Sequence, residues 1–120
     1  MSVRRLSAAL VVVAVLIGAG ASSVLAAKSH GTGTTVVKVT ATEFKFTLSP
    51  ASGKSGSFSF VVTNKGKLSH DFKIAGKKTS LLKPGQSGKV NVTLKKGSYP
   101  YMCTVPGHAA AGMKGTFKVT

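Results

Sequence analysis

From Val36 onward the chain alternates apolar and polar positions. Val37, Val39 and Ala41 fall on one side of the backbone, with Lys38, Thr40 and Thr42 on the other. Phe44, Phe46 and Leu48 alternate with Lys45 and Thr47, and the same two-residue rhythm recurs in Phe58, Phe60 and Val62. It returns in His70, Phe72 and Ile74, in Val90, Val92 and Leu94, in Tyr99, Tyr101 and Cys103, and in Phe117 and Val119. A period of two is that of a strand with one face turned to a core. Between these segments lie Gly-, Pro-, Asn- and Lys-rich stretches: Ser49 to Gly56, Asn64 to Gly66, the long polar run Gly76 to Gly88, and Lys95 to Gly97. Short alternating strands punctuated this way predict an all-β, antiparallel sandwich or barrel in a single domain.

The first residues follow a different pattern. Arg4 and Arg5 precede an apolar run from Leu6 to Ile17, and small residues follow from Gly18 to Ala27. A basic start, an apolar centre and a small-residue end describe an export signal, expected to span residues 1–26 with cleavage after Ala26. The alternative is an uncleaved anchor, since residues 6–27 are just long enough to span a bilayer. Residues 27–35 are rich in Gly, Ser and Thr and predict a tether, with His30 solvated in it. The domain proper is then residues 36–120.

Composition sharpens two points. The chain has 17 basic residues against 2 acids, a formal net charge of +15, and apart from Arg4 and Arg5 every basic residue is a lysine downstream of residue 26. Such a field either attracts anionic partners, namely acidic proteins or an anionic membrane or cell-wall surface, or is simply a solvated basic surface with no dedicated partner. Nucleic acid is excluded as a partner, because the lysines are dispersed and no nucleic-acid-binding motif is present. The single cysteine, Cys103, cannot form an intramolecular disulfide. In an exported protein, where disulfides are the norm, a lone thiol needs another explanation.

That explanation lies in the stretch Tyr99 to Gly115, which holds Cys103, His108 and Met113 at the spacing Cys-x4-His-x4-Met. Thiolate, imidazole and thioether form a soft donor set suited to copper, with Met as a weak axial ligand. A second imidazole is required, and His70, sharing a face with Phe72 and Ile74, is the candidate. Taken singly, each residue has an ordinary structural role open to it: Cys103 as a small buried hydrophobe, Met113 as core filler, His108 as a turn residue after Pro106 and Gly107. Together they point to one copper ion with no position left for substrate, hence to electron transfer rather than an enzyme.

The segment Tyr99 to Val119 resembles the copper loop of the cupredoxins, the blue copper proteins related to plastocyanin and azurin, and Ser69 to Phe72 resembles their first-ligand strand. The resemblance covers about Val36 to Thr120. It implies a Greek-key β-sandwich of about eight strands, with His70, Cys103, His108 and Met113 as copper ligands and both histidines binding through Nδ1. Plastocyanin has two residues between Cys and the second His; here there are four, as in auracyanin and rusticyanin. Many members carry Asn after the first His, where this chain has Asp71. An ionised Asp accepts but does not donate hydrogen bonds through its side chain, and its charge is expected to lower the reduction potential.

The resemblance also implies that His108 presents a ring edge at the surface, with Ala109, Ala110, Ala111 and Gly112 as a flat apolar rim. A monomeric carrier in the periplasm, or on the outer face of the membrane, would then meet redox proteins with acidic docking surfaces. Two other functions compete: a module for copper storage or delivery, which favours exposed, exchangeable donors, and a metal-free adhesion sandwich.

Overall fold

The computed structural model describes residues 33–120; the expected signal segment, His30 and most of the expected tether lie outside the described residues. Nine strands follow in order: β1 (Thr35–Thr42), β2 (Lys45–Ser49), β3 (Ser52–Gly53), β4 (Gly56–Asn64), β5 (Lys73–Ile74), β6 (Lys77–Lys78), β7 (Ser87–Leu94), β8 (Gly97–Met102) and β9 (Lys114–Val119). They form two sheets, one ordered β2-β1-β4-β7 and the other β3-β9-β8-β5-β6. The all-β sandwich is therefore present, with nine strands where the resemblance implies about eight. Two of the nine, β3 and β6, are two-residue strands hidden in stretches that read as loops.

Alternation sets which face each strand buries. Val37, Val39 and Ala41 of β1, Phe58, Phe60 and Val62 of β4, and Val90, Val92 and Leu94 of β7 are buried. They meet Ile74, Phe117 and Val119 of the other sheet and Phe72, the residue before β5. Register brings them together: Val37 pairs with Phe60 and Val39 with Val62, while Phe60 pairs with Val90 and Phe58 with Val92. A slip of one residue would turn each of these sets to solvent. Phe117 stands edge-on to both Phe58 and Phe60, at 5.4 and 5.2 Å between ring centres. Burying each such ring stabilises the fold by about 1.5–3 kcal/mol.

Pairing is less uniform than the alternation suggests. β1 runs parallel to β4, and β3 parallel to β9, among otherwise antiparallel pairs. Parallel neighbours require a crossover of about a dozen residues or more. Residues 43–55 supply it by forming β2 in one sheet and then β3 in the other.

Phe44 also departs from expectation. It does not share the half-buried face of Phe46 and Leu48 but sits in the turn between β1 and β2, 37% exposed. Alternation counted from β2 fails there because a turn has no pleat. Met102, expected on the face opposite Cys103, is on the outside of its sheet, 40% exposed.

Candidate metal centre

One end of the sandwich collects the chemically active residues. β8 stops at Met102, so Cys103 is the first residue past the strand, and β9 begins at Lys114, just after Met113. The Cys103 N–H donates to the Met113 carbonyl at 3.0 Å, closing the base of the loop. Within it, His108 N–H bonds to Val105 O and Met113 N–H to His108 O, both at 3.1 Å. Gly107 and Gly112 reverse the chain at φ of 84° and 117°, values an L side chain rarely adopts. The loop is thus wound on its own backbone, and the spacing of four between each pair of candidate ligands is the length of that winding.

His70 reaches the same end from the other side. It precedes β5 and forms an isolated bridge with Leu82, each donating to the other's carbonyl at 3.0 and 2.8 Å. The turn before it is held by Asn64, fully buried, whose amide donates to Leu68 O at 2.7 Å and Leu82 O at 2.8 Å and accepts from Gly66 N–H. Three of the four expected residues converge. His70 Nδ1 lies 3.1 Å from His108 Nδ1, and Cys103 Sγ lies 3.6 Å from His108 Nδ1. All three donor atoms are within 4.8 Å of one another. Met113 is fully buried in the same loop, tied by its backbone to both Cys103 and His108.

The separations of 3.1 and 3.6 Å fit a single small ion. Metal–nitrogen and metal–sulfur bonds of about 2.0 and 2.3 Å put two such donors on one ion no more than about 4.3 Å apart. Both nitrogens facing inward are Nδ1, as the resemblance implies. His70 and Cys103 are fully buried, whereas His108 is half-buried. Ala109 is half-buried, and Ala110, Ala111 and Gly112 are exposed around it, as the rim requires. Burial pushes the Cys103 thiol above its ordinary pKa, while the backbone N–H groups of Asp71 and Val105 pull the other way.

The residues around the donors were only partly legible. Asp71, singled out as a departure, is buried and accepts from Thr104 N–H at 2.6 Å and from the Thr104 hydroxyl. It ties the first-ligand segment to the cysteine segment as an acceptor. Sequence reasoning missed Glu43 and Phe44. Glu43 Oε1 lies 3.2 Å from His70 Nε2 and accepts from Lys67 and Leu68 N–H at 2.6 and 2.8 Å. Those bonds, Leu68 first, hold its carboxyl down at about 2. Phe44 stands edge-on to His108, with ring centres 5.2 Å apart. The one available signal for Glu43 was scarcity: it is one of only two acids in the chain, and both lie at this site.

Comparison with known proteins points to one family and one fold. A stretch of the chain is 54% identical over 43 residues to auracyanin-B of Chloroflexus aurantiacus, covering 35% of this chain and only 18% of that protein. The fold matches the auracyanin of Roseiflexus castenholzii with a TM-score of 0.62 at 20% identity, over 75% of this chain and 99% of that one. It matches rusticyanin of Thiobacillus ferrooxidans with a TM-score of 0.57 at 23% identity, over 72% of this chain and 77% of that one. The profile of copper binding proteins of the plastocyanin/azurin family matches residues 15–120. With that match over most of its length and a soft donor cluster at the open end of its sandwich, the chain belongs to the plastocyanin/azurin family of copper-binding proteins, and its cofactor is a type 1 copper.

Proposed function

We propose that this protein is a one-electron carrier that works outside the cytoplasm, with His70 Nδ1, Cys103 Sγ and His108 Nδ1 as the strong copper ligands and Met113 as the weak axial one. The observation that carries the proposal is the convergence of three donors from two distant segments within 4.8 Å, on loops at the ends of strands whose packed core fixes where those loops start. Copper in such a set supplies a one-electron couple between its cuprous and cupric forms. The chain's own residues do the rest. His70 and Cys103 are shut away from water, so the donors keep their positions whichever charge the site carries. Asn64 holds the segment that carries His70, the Cys103–Met113 backbone bond closes the loop, and Asp71 ties the two segments together through Thr104. His108, half-exposed among small residues and beside Phe44, is where a partner can approach the donors most closely.

The lysine-rich surface supports an acidic redox partner, steered by the field and released quickly because the rim is small. The basic, apolar, small-residue pattern of residues 1–26 supports export. Copper delivery is less well supported, because a delivery site needs accessible donors and three of the four proposed here, His70, Cys103 and Met113, have none of their surface exposed.

Visible absorption and EPR of the purified protein with Cu(II) test the site: an intense thiolate-to-copper band with narrow hyperfine splitting is expected. A colourless adduct ends the proposal. Reversible voltammetry, against rapid handover of the metal to a chelator, separates carrier from delivery module. Fractionation of cells with N-terminal sequencing tests export.

A further inference from the structure

We propose that Glu43 is a positioning residue for the copper site: its carboxylate holds His70 as the Nε2–H tautomer and so turns the Nδ1 lone pair toward the point where Cys103 Sγ and His108 Nδ1 converge. This rests on the ligand assignment proposed above.

The two nitrogens of the His70 ring face different surroundings. Nδ1 looks at His108 Nδ1 from 3.1 Å, and Nε2 looks at Glu43 Oε1 from 3.2 Å. A neutral imidazole has one N–H and one lone pair, and an ionised carboxylate accepts only. The N–H therefore belongs on Nε2, which leaves Nδ1 as the free donor to a metal. With the tautomers exchanged, a proton would point into the donor cluster and a lone pair would face the carboxylate.

The carboxylate is placed to impose this rather than to follow the ring. The Lys67 and Leu68 N–H groups grip the same oxygen from the chain leading into His70. Gly66 leaves the space: a Cβ there would overlap the Glu43 carboxylate. The ring itself is fully buried and its backbone is bridged to Leu82, so it has little freedom to seek another partner. Outer partners of this kind orient the ligand ring and raise its basicity, and their loss typically costs about 10–100-fold in metal affinity. In a chain with 17 basic residues, spending one of two acids on the back of a ligand histidine needs a local reason.

The experiment compares the whole protein with its Glu43→Gln, Glu43→Ala and Glu43→Asp variants. Gln keeps an acceptor oxygen at the same reach and removes the charge; Ala removes both; Asp keeps the charge and withdraws it by one methylene. Nitrogen-15 NMR of the copper-free proteins reads the His70 tautomer, and chelator competition reads copper affinity. A single Nε2–H tautomer is expected in the wild type and in E43Q. A mixture of tautomers, with affinity lowered about 10–100-fold, is expected in E43A and E43D. If E43A does not fold, E43D carries the comparison. A pure Nε2–H tautomer with wild-type affinity in E43D overturns the proposal, and so does an E43Q as impaired as E43D. A wild type that takes up copper without the thiolate band instead sinks the ligand assignment, and the two failures are read on different samples.

Discussion

At the metal end, Glu43 and Asp71 each accept two or more hydrogen bonds and lie against ligand-bearing segments; along the strands, Lys38, Lys45, Lys89 and Lys118 stand exposed with no acid beside them. Among the described residues, the His70–Glu43 hydrogen bond is the only close contact between a basic side chain and a carboxylate. Negative charge here acts at hydrogen-bond range, where geometry decides its effect. Positive charge is left unpaired, where it acts over about 8 Å or more of salt solution. A lysine-rich surface costs some self-repulsion but adds a field that reaches a partner before contact. A carboxylate on that surface would cancel part of the field. At the site it orders the backbone and places a compensating charge near the metal.

Several experiments break or sharpen that contrast. The largest effect is expected from Cys103→Ser, which removes the thiolate: the charge-transfer band should vanish entirely. An adduct whose visible spectrum survives this change would show that Cys103 is no ligand. Phe117→Ala acts on the body of the sandwich instead. It should cost about 3–5 kcal/mol in denaturant unfolding of the copper-free protein, and the folded fraction should keep the same copper spectrum. A changed spectrum would mean that the core and the site are not separable.

Asp71→Ala removes both bonds to Thr104 and is expected to cost about 1.5–3 kcal/mol. Asp71→Asn keeps one acceptor oxygen, so it should cost less and shift the reduction potential upward as the negative charge is lost. An Asn variant with an unchanged potential at neutral pH would remove the charge from the account of Asp71. For the lysine flanks, the rate of electron exchange with an acidic protein should fall about tenfold or more between low and physiological ionic strength. A flat response would mean the field does not steer.

The smallest effect concerns acid. Glu43 is held at about 2 against an ordinary 4.5, so its stabilising contribution is complete above pH 4.5. It is lost as pH falls from 4.5 toward 2. The stability gap between wild type and E43Q should shrink over that window and stay constant from pH 5 to 7. Because the side chain is 30% exposed, the gap should be modest.

Much of this protein was legible before any coordinates. The alternation in β1, β4 and β7 named the core residues of one sheet, because a strand's two faces follow from its own pleat. The spacing of Cys103, His108 and Met113 marked the metal loop, because a loop closing on one ion is a local object. His70 could be named because an inward imidazole among Phe72 and Ile74 needs a partner. Other features depended on contacts between parts of the chain that sequence does not bring near each other. The parallel pairing of β1 with β4 depends on how residues 43–55 cross between sheets. Glu43 meets His70 across 27 positions, and Phe44 meets His108 from a turn where alternation gives no direction. Sequence alone determined which atoms can bind copper, since that is a property of side-chain chemistry and short spacing. Only the closed sandwich decided which carboxylate stands behind the His70 ring and which aromatic stands against His108. Those contacts exist only once two sheets pack in register, and no local pattern encodes that register.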